Sequence, residues 1–198
     1  MIHAAIDHLV VTAPSLASGA AYIRNELGVE MQPGGEHPAM GTHNLLLKLD
    51  HSTYLEVLAI NPDATAPGTP RWFGLDGVTE PGLAAWVARV DDIDAAAAAL
   101  GMPSECIKSM SRGDLKWSIT IPDNGGSSTM PALIQWRNGP HPATRLPDSG
   151  CALVELTIPF AERLLRLNLD SRCAPGPELR VTIQTPHGVR TLRTPTRP

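Results

Sequence analysis

AAIDHLVVTAP, residues 4–14, is an apolar, β-branched run interrupted by one aspartate and one histidine. Its composition predicts a strand over Ile6–Val11. Pro14-Ser15 then marks a helix start, with the Ser15 hydroxyl placed to accept from a free backbone N–H. Leu16, Ala20, Ile23 and Leu27 recur at helical spacing, and Gly28 follows where a residue at positive φ would stop the helix. A short segment around Glu30–Gln32 and the turn PGGEHPAMG (33–41) lead to two further strand runs, THNLLLKL (42–49) and TYLEVLAI (53–60). The order is β-α-β-β-β.

That order repeats. GLAAWVARV (82–90) reads as a strand and DDIDAAAAALG (91–101) as an Asp-capped helix stopped by Leu-Gly. CIKSMS (106–111), LKWSITIP (115–122) and MPALIQW (130–136) read as three more strands. Aligning Leu16 with Ile93 sets the copies 77 residues apart and puts His8 opposite Ala85. Aligning Gly28 with Gly101 sets them 73 apart, which makes the second helix about one turn shorter. Internal duplication is the economical explanation. The expected organisation is a first module over 1–60, a Pro/Gly-rich linker over 61–82 and a second module over 83–137. A C-terminal extension over 138–198 reads as strand, amphipathic helix and a hairpin around Pro186-His187-Gly188. Trp72 and Phe73, in the linker, are expected to clamp it onto the sheet or a pocket rim.

Composition narrows the function classes. The chain of 198 residues has 42% apolar content and no apolar run near the ~20 residues that span a bilayer, nor a signal-peptide pattern, so a cytoplasmic, globular protein is expected. Cys106, Cys151 and Cys173 are widely spaced without CxxC, which supports neither a disulfide framework nor a zinc knuckle. A net charge of -4 with mixed signs gives no footprint for nucleic acid or membrane, so the expected partner is a small molecule. DNGGSS (123–128) lacks the GK[ST] of a phosphate loop, and neither GxSxG nor HExxH occurs.

DHLVV opening the first copy, GGEHPAMGTHN entering its third strand and YLEVLAI closing it resemble a glyoxalase-like protein of the vicinal oxygen chelate superfamily (glyoxalase/bleomycin resistance/extradiol dioxygenase). The resemblance covers about residues 4–137, and TPHGVRTL resembles the tail of larger members. It implies an α+β fold in which paired βαβββ modules form a partly open barrel around a central cavity. It also implies up to four inward-facing metal ligands, from the first and last strands of each module. Those positions are His8 and Glu56 in the first copy and Ala85 and Gln135 in the second. Alanine cannot bind a metal, and glutamine stands where the superfamily has glutamate. The implied metal set is therefore His8 and Glu56, with Gln135 or else His37 or His43 as a third ligand, around a divalent Zn, Mn, Fe, Ni or Co ion, or no metal at all.

Strand alternation puts His8 on one face with Ile6 and Val10, and Glu56 with Tyr54 and Leu58. A carboxylate on such a face needs a cation or a partner such as Arg89 or Arg137. His8 and Glu56 are the candidate catalytic groups. His37, Thr42, His43 and Asn44 in the loop, with Trp72 and Gln135, are the candidate substrate contacts. The implied activity is that of a small-molecule enzyme acting on vicinal oxygens, of isomerase, lyase or dioxygenase type, as monomer or homodimer. A metal-free, resistance-type binding protein on the same fold is the other reading.

Overall fold

The opening stretch folds as β1 (Ile2–Thr12), longer than its apolar run because Ile2–Ala4 find a parallel partner late in the chain. This computed structural model describes residues 1–121, 130–159 and 161–195, so the turn read at 123–128 lies outside the described residues. After β1 come α1 (Leu16–Leu27), β2 (Gln32–His37), β3 (Thr42–Lys48) and β4 (Tyr54–Ile60). The second set is β5 (Gly82–Arg89), α2 (Ile93–Leu100), β6 (Ile107–Arg112), β7 (Leu115–Thr120) and β8 (Ala132–Asn138). Both helices have the expected ends: Ser15 and Asp92 accept from backbone N–H groups at the N-termini, and Gly28 and Gly101 close the C-termini at φ 74° and 68°.

The strands form one curved sheet in the order β2-β3-β4-β1-β5-β8-β7-β6. The pairing of β1 with β5 at its centre carries the duplication in its register. Leu9 faces Trp86, His8 faces Val87 and Val10 faces Ala85. Adding 77 to the β1 residue and subtracting 77 from its β5 partner exchanges His8–Val87 with Val10–Ala85 and returns Leu9–Trp86 to itself. The two irregularities also exchange, with Asp7 skipped on β1 and Ala84 skipped on β5. Each strand thus carries one bulge at the equivalent position.

The bulge changes which residues face inward. Plain alternation would place Ile6 beside His8 and Val10. Instead the extra residue, Asp7, shifts the phase, so Ile6 joins Leu9 and Val11 in the outer core while Val10 lies in the inner cluster with Ala85 and Val87. The outer core packs the sheet against Ile23 and Leu27 of α1, Ile93 of α2, and the C-terminal extension. The inner cluster, with Trp117, Ile119, Ile134 and Trp72, fills the barrel.

Two expectations from sequence need correction. Residues 32–37, read largely as turn, are an edge strand: Pro33 is tolerated there, and Gly34-Gly35 interrupt the pairing with β3 between Pro33 and Glu36. A Cβ on Gly34 would lie 2.0 Å from Asn44 Oδ1, so the strand can approach Asn44 only without a side chain. The amphipathic helix read near residue 165 is a single 3-10 turn, Glu162–Arg166. Its sequence runs directly into β10 (Leu167–Leu169), the partner of Ile2–Ala4, and pairing with that strand takes the residues a longer helix would need. The remainder of the extension, β9 (Ala152–Pro159), β11 (Cys173–Gly176), β12 (Arg180–Thr185) and β13 (Gly188–Arg193), forms a second sheet in the order β11-β9-β12-β13. The expected hairpin is β12–β13.

Candidate active site

The Asp7 bulge builds the site. It buries a carboxylate completely, 0% exposed, and gathers donors from four parts of the chain. Oδ1 accepts from Nδ1 of His8 at 2.7 Å. Oδ2 accepts from Nε1 of Trp136 at 2.9 Å, Nε2 of His141 at 3.0 Å and the Arg89 guanidinium at 3.4 Å. The Ala143 N–H donates to Nδ1 of His141 (3.3 Å), which fixes the hydrogen of that ring on Nε2. Burial raises the Asp7 carboxyl, but hydrogen bonds from His141 and His8 and the electrostatic pull of both rings outweigh it and hold the group well below the usual carboxylate range.

An ionised carboxylate only accepts, so His8 carries its hydrogen on Nδ1 and presents Nε2 elsewhere. Nε2 lies 3.6 Å from Oε2 of Glu56, too far for a hydrogen bond but close enough to balance a proton gained on the ring. The His8 ring stacks on Tyr54 at 4.6 Å between centroids. Burial, followed by the charges of Asp7 and Glu56, raises the Tyr54 phenol well above its ordinary range and keeps it neutral. Glu56 is fixed by Asn44, whose Nδ2 donates to Oε1 at 2.5 Å while its Oδ1 accepts from the Gly35 N–H at 2.7 Å. Neither arginine proposed from sequence pairs with Glu56: Arg89 is on Asp7, and Arg137 donates to the Ser118 hydroxyl.

His8 and Glu56 open onto a barrel cavity of ≈ 30 Å³ lined by His37, Asn44, Tyr54, Arg112 and the rings of Trp72, Phe73, Trp117 and Trp136. That is room for about two or three waters. Trp72 therefore sits on the cavity wall as well as in the core, edge-on to His37. The linker turn carrying it, Trp72–Gly77, holds Phe73 at φ 56°, the only positive φ at a non-glycine residue among the described residues. Arg112 at the end of β6 donates to Nε2 of His37 on β2 at 3.2 Å, so side chains bridge the two strands that end the sheet. Arginine can only donate, so His37 carries its hydrogen on Nδ1, facing the Thr42 hydroxyl at 3.2 Å. Burial, with help from Arg112, lowers His37 to about 4, leaving it neutral near pH 7.

The remaining candidates lie elsewhere. Thr42 is buried and holds His37 without lining the cavity. His43, between Thr42 and Asn44, takes the opposite face of β3 and does not line it either. Gln135 contradicts the ligand assignment: it lies between Ile134 and Trp136, which line the cavity, and turns outward to accept from the Ile93 N–H at the start of α2 and to donate to the Asp91 carbonyl. Its amide is a helix fastener. Asp7, Arg112 and His141 were not foreseen as site residues. The visible signal for Asp7 was an ionisable group inside an apolar strand, where a lone charge is too costly to be left without partners.

A divalent metal, which members of the implied superfamily often use, finds an incomplete donor set here. His8 Nε2 and Glu56 Oε2 converge, but Ala85 stands opposite His8 in the duplication, and Ala132 takes the ladder position matching Glu56. Among the described residues no three His, Cys, Asp or Glu side chains are grouped to hold an ion. Two donors facing a guanidinium across a small cavity do not fit a resident divalent ion.

With this geometry in hand, comparison with known families gives a match over residues 6–164 to the glyoxalase-like domain. The chain belongs to the glyoxalase-like domain family. No curated protein matches it. The glyoxalase-like barrel is similar to a hypothetical protein from Staphylococcus aureus, with 19% identity and TM-score 0.54 over 78% of this chain and 68% of that one. Methylmalonyl-CoA epimerase from Mycobacterium tuberculosis, of the vicinal oxygen chelate superfamily, aligns with 16% identity and TM-score 0.43 over 68% of this glyoxalase-like chain and 88% of its own.

Proposed function

We propose that the protein is a small-molecule enzyme that moves a proton on a substrate with neighbouring oxygens, using His8 as the acid–base group. The buried Asp7–His8–Glu56 chain is the observation that carries this reading. Asp7 fixes the ring, Nε2 of His8 takes a proton from a carbon beside a carbonyl, and the Glu56 carboxylate balances the imidazolium until the proton returns. Asn44 holds Glu56 in place, and the aromatic walls exclude water from the reacting carbon. Proton return to the same carbon or its neighbour gives epimerisation or isomerisation; loss of a group at the neighbouring carbon gives a lyase. A metal-free binding protein is the second reading, favoured by the ring-lined cavity to which the second module brings no carboxylate.

Carbon-bound hydrogen exchange separates the two. Hydroxyacetone, diacetyl, pyruvate and 2-oxobutyrate are incubated with protein in D2O, and the loss of C–H signal is followed by proton NMR. The wild type is expected to accelerate exchange of at least one of them, and His8→Ala to slow it about a hundredfold or more. Exchange at the buffer rate for every compound overturns the enzyme reading, and binding of a compound without exchange supports the second reading.

A further inference from the structure

Among the described residues Arg112 is a cation without an ion-pair partner. It lines the cavity, yet among the described residues no carboxylate lies within ion-pairing distance and its one hydrogen bond goes to the imidazole of His37. That ring is neutral near pH 7, so it takes a hydrogen bond and leaves the charge uncompensated. The contact uses NH1, and the edge formed by Nε and NH2 has no partner among the described residues. A planar, two-pronged donor edge matches a carboxylate or a phosphate through two parallel hydrogen bonds, and the small cavity favours the planar, more compact carboxylate.

The surroundings are shaped for this side chain. It passes over Gly35, where a Cβ would lie 2.9 Å from Cδ and 3.2 Å from Nε and NH1 of Arg112, so a side chain there would push the guanidinium from its present position. Glu56 carries the opposite charge on the same cavity, which leaves one cationic region to hold the substrate and one anionic region beside His8.

We propose that Arg112 anchors the substrate's carboxylate, so that the cavity selects small 2-oxo or 2-hydroxy carboxylic acids. This rests on the acid–base reading for the reacting end of the substrate, but the anchor is tested by binding alone. The carboxylate takes the free edge formed by Nε and NH2, and NH1 keeps its bond to His37.

The test is binding by calorimetry of glyoxylate, pyruvate, lactate and 2-oxobutyrate, with methyl pyruvate and methyl lactate as uncharged counterparts, to the wild type, Arg112→Gln, Arg112→Lys and Gly35→Ala. Folding of each variant is confirmed by circular dichroism. The wild type is expected to bind at least one acid, and to bind it about tenfold or more tightly than its ester. Arg112→Gln is expected to remove that preference, and Arg112→Lys to retain only a minor part of it, because an ammonium lacks the fork. Gly35→Ala is expected to weaken the acid and leave the ester unchanged. Equal binding of acid and ester, an unchanged preference in Arg112→Gln, or no binding of any acid to the wild type overturns the anchor. A failure of the acid–base reading would appear separately, as absent exchange with the carboxylate preference intact.

Discussion

Replacing Asp7 with alanine is expected to lower the stability of the protein by about 3–5 kcal/mol. The loss arises from what stays behind. His8, His141 and Trp136 each aim an N–H at the vacated space, and each buried donor left without an acceptor costs about 1–3 kcal/mol, partly recovered by relaxation. Arg89 loses its carboxylate partner as well. The same carboxylate sets a pH dependence. Its folded-state pKa is depressed, so its stabilisation is fully present above the ordinary aspartate range and is lost as pH falls through and below that range. Urea denaturation of Asp7→Ala beside the wild type at pH 7 checks the first effect. At pH 3 the difference between the two proteins should shrink. A loss below about 1 kcal/mol would show that the four donors do not depend on this acceptor.

A second large effect is expected at the symmetry axis of the duplication. Trp86 faces Leu9 where β5 meets β1, and both are fully buried. Trp86→Ala should cost about 3–5 kcal/mol, from lost apolar burial and the void left in an outer core that both modules share. Trp86→Phe should cost far less. The indole N–H has no acceptor among the described residues, so the smaller ring removes an unsatisfied donor together with some volume. Thermal or urea unfolding of the two variants distinguishes them. Equal, small losses would mean that the modules are held together by their backbone pairing and not by packing on the axis.

Much of the fold was legible because its signals are local. Ser15, Gly28, Asp92 and Gly101 punctuate the helices, and the displacement of 77 residues read from Leu16 and Ile93 reappears, bulge for bulge, in the pairing of β1 with β5. His8, Glu56, Asn44, His37 and Trp72 do line one cavity. Legibility failed where a contact depends on one residue of phase. No periodicity announces the bulge at Asp7, yet it decides that Ile6 faces outward and that the carboxylate turns toward His8. Gln135 failed for the same reason in reverse: β8 keeps regular alternation from Ile134 to Trp136, so the residue between them must face α2. Arg112 and His141 reach the site across 75 and 134 residues of sequence, to His37 and Asp7 respectively, and nothing local marks such partners.

The central claim is that a buried carboxylate fixes His8 with Nδ1 protonated and Nε2 open to the cavity. Long-range proton–nitrogen NMR of the imidazole rings tests it most directly, with the His8 signals assigned by their absence from His8→Gln. The wild type is predicted to show a proton on Nδ1 of His8 and an unprotonated Nε2 at alkaline pH, and Asp7→Asn is predicted to lose that preference. A neutral His8 protonated on Nε2 in the wild type would point a donor at Glu56, leave Asp7 without its closest partner, and contradict the account.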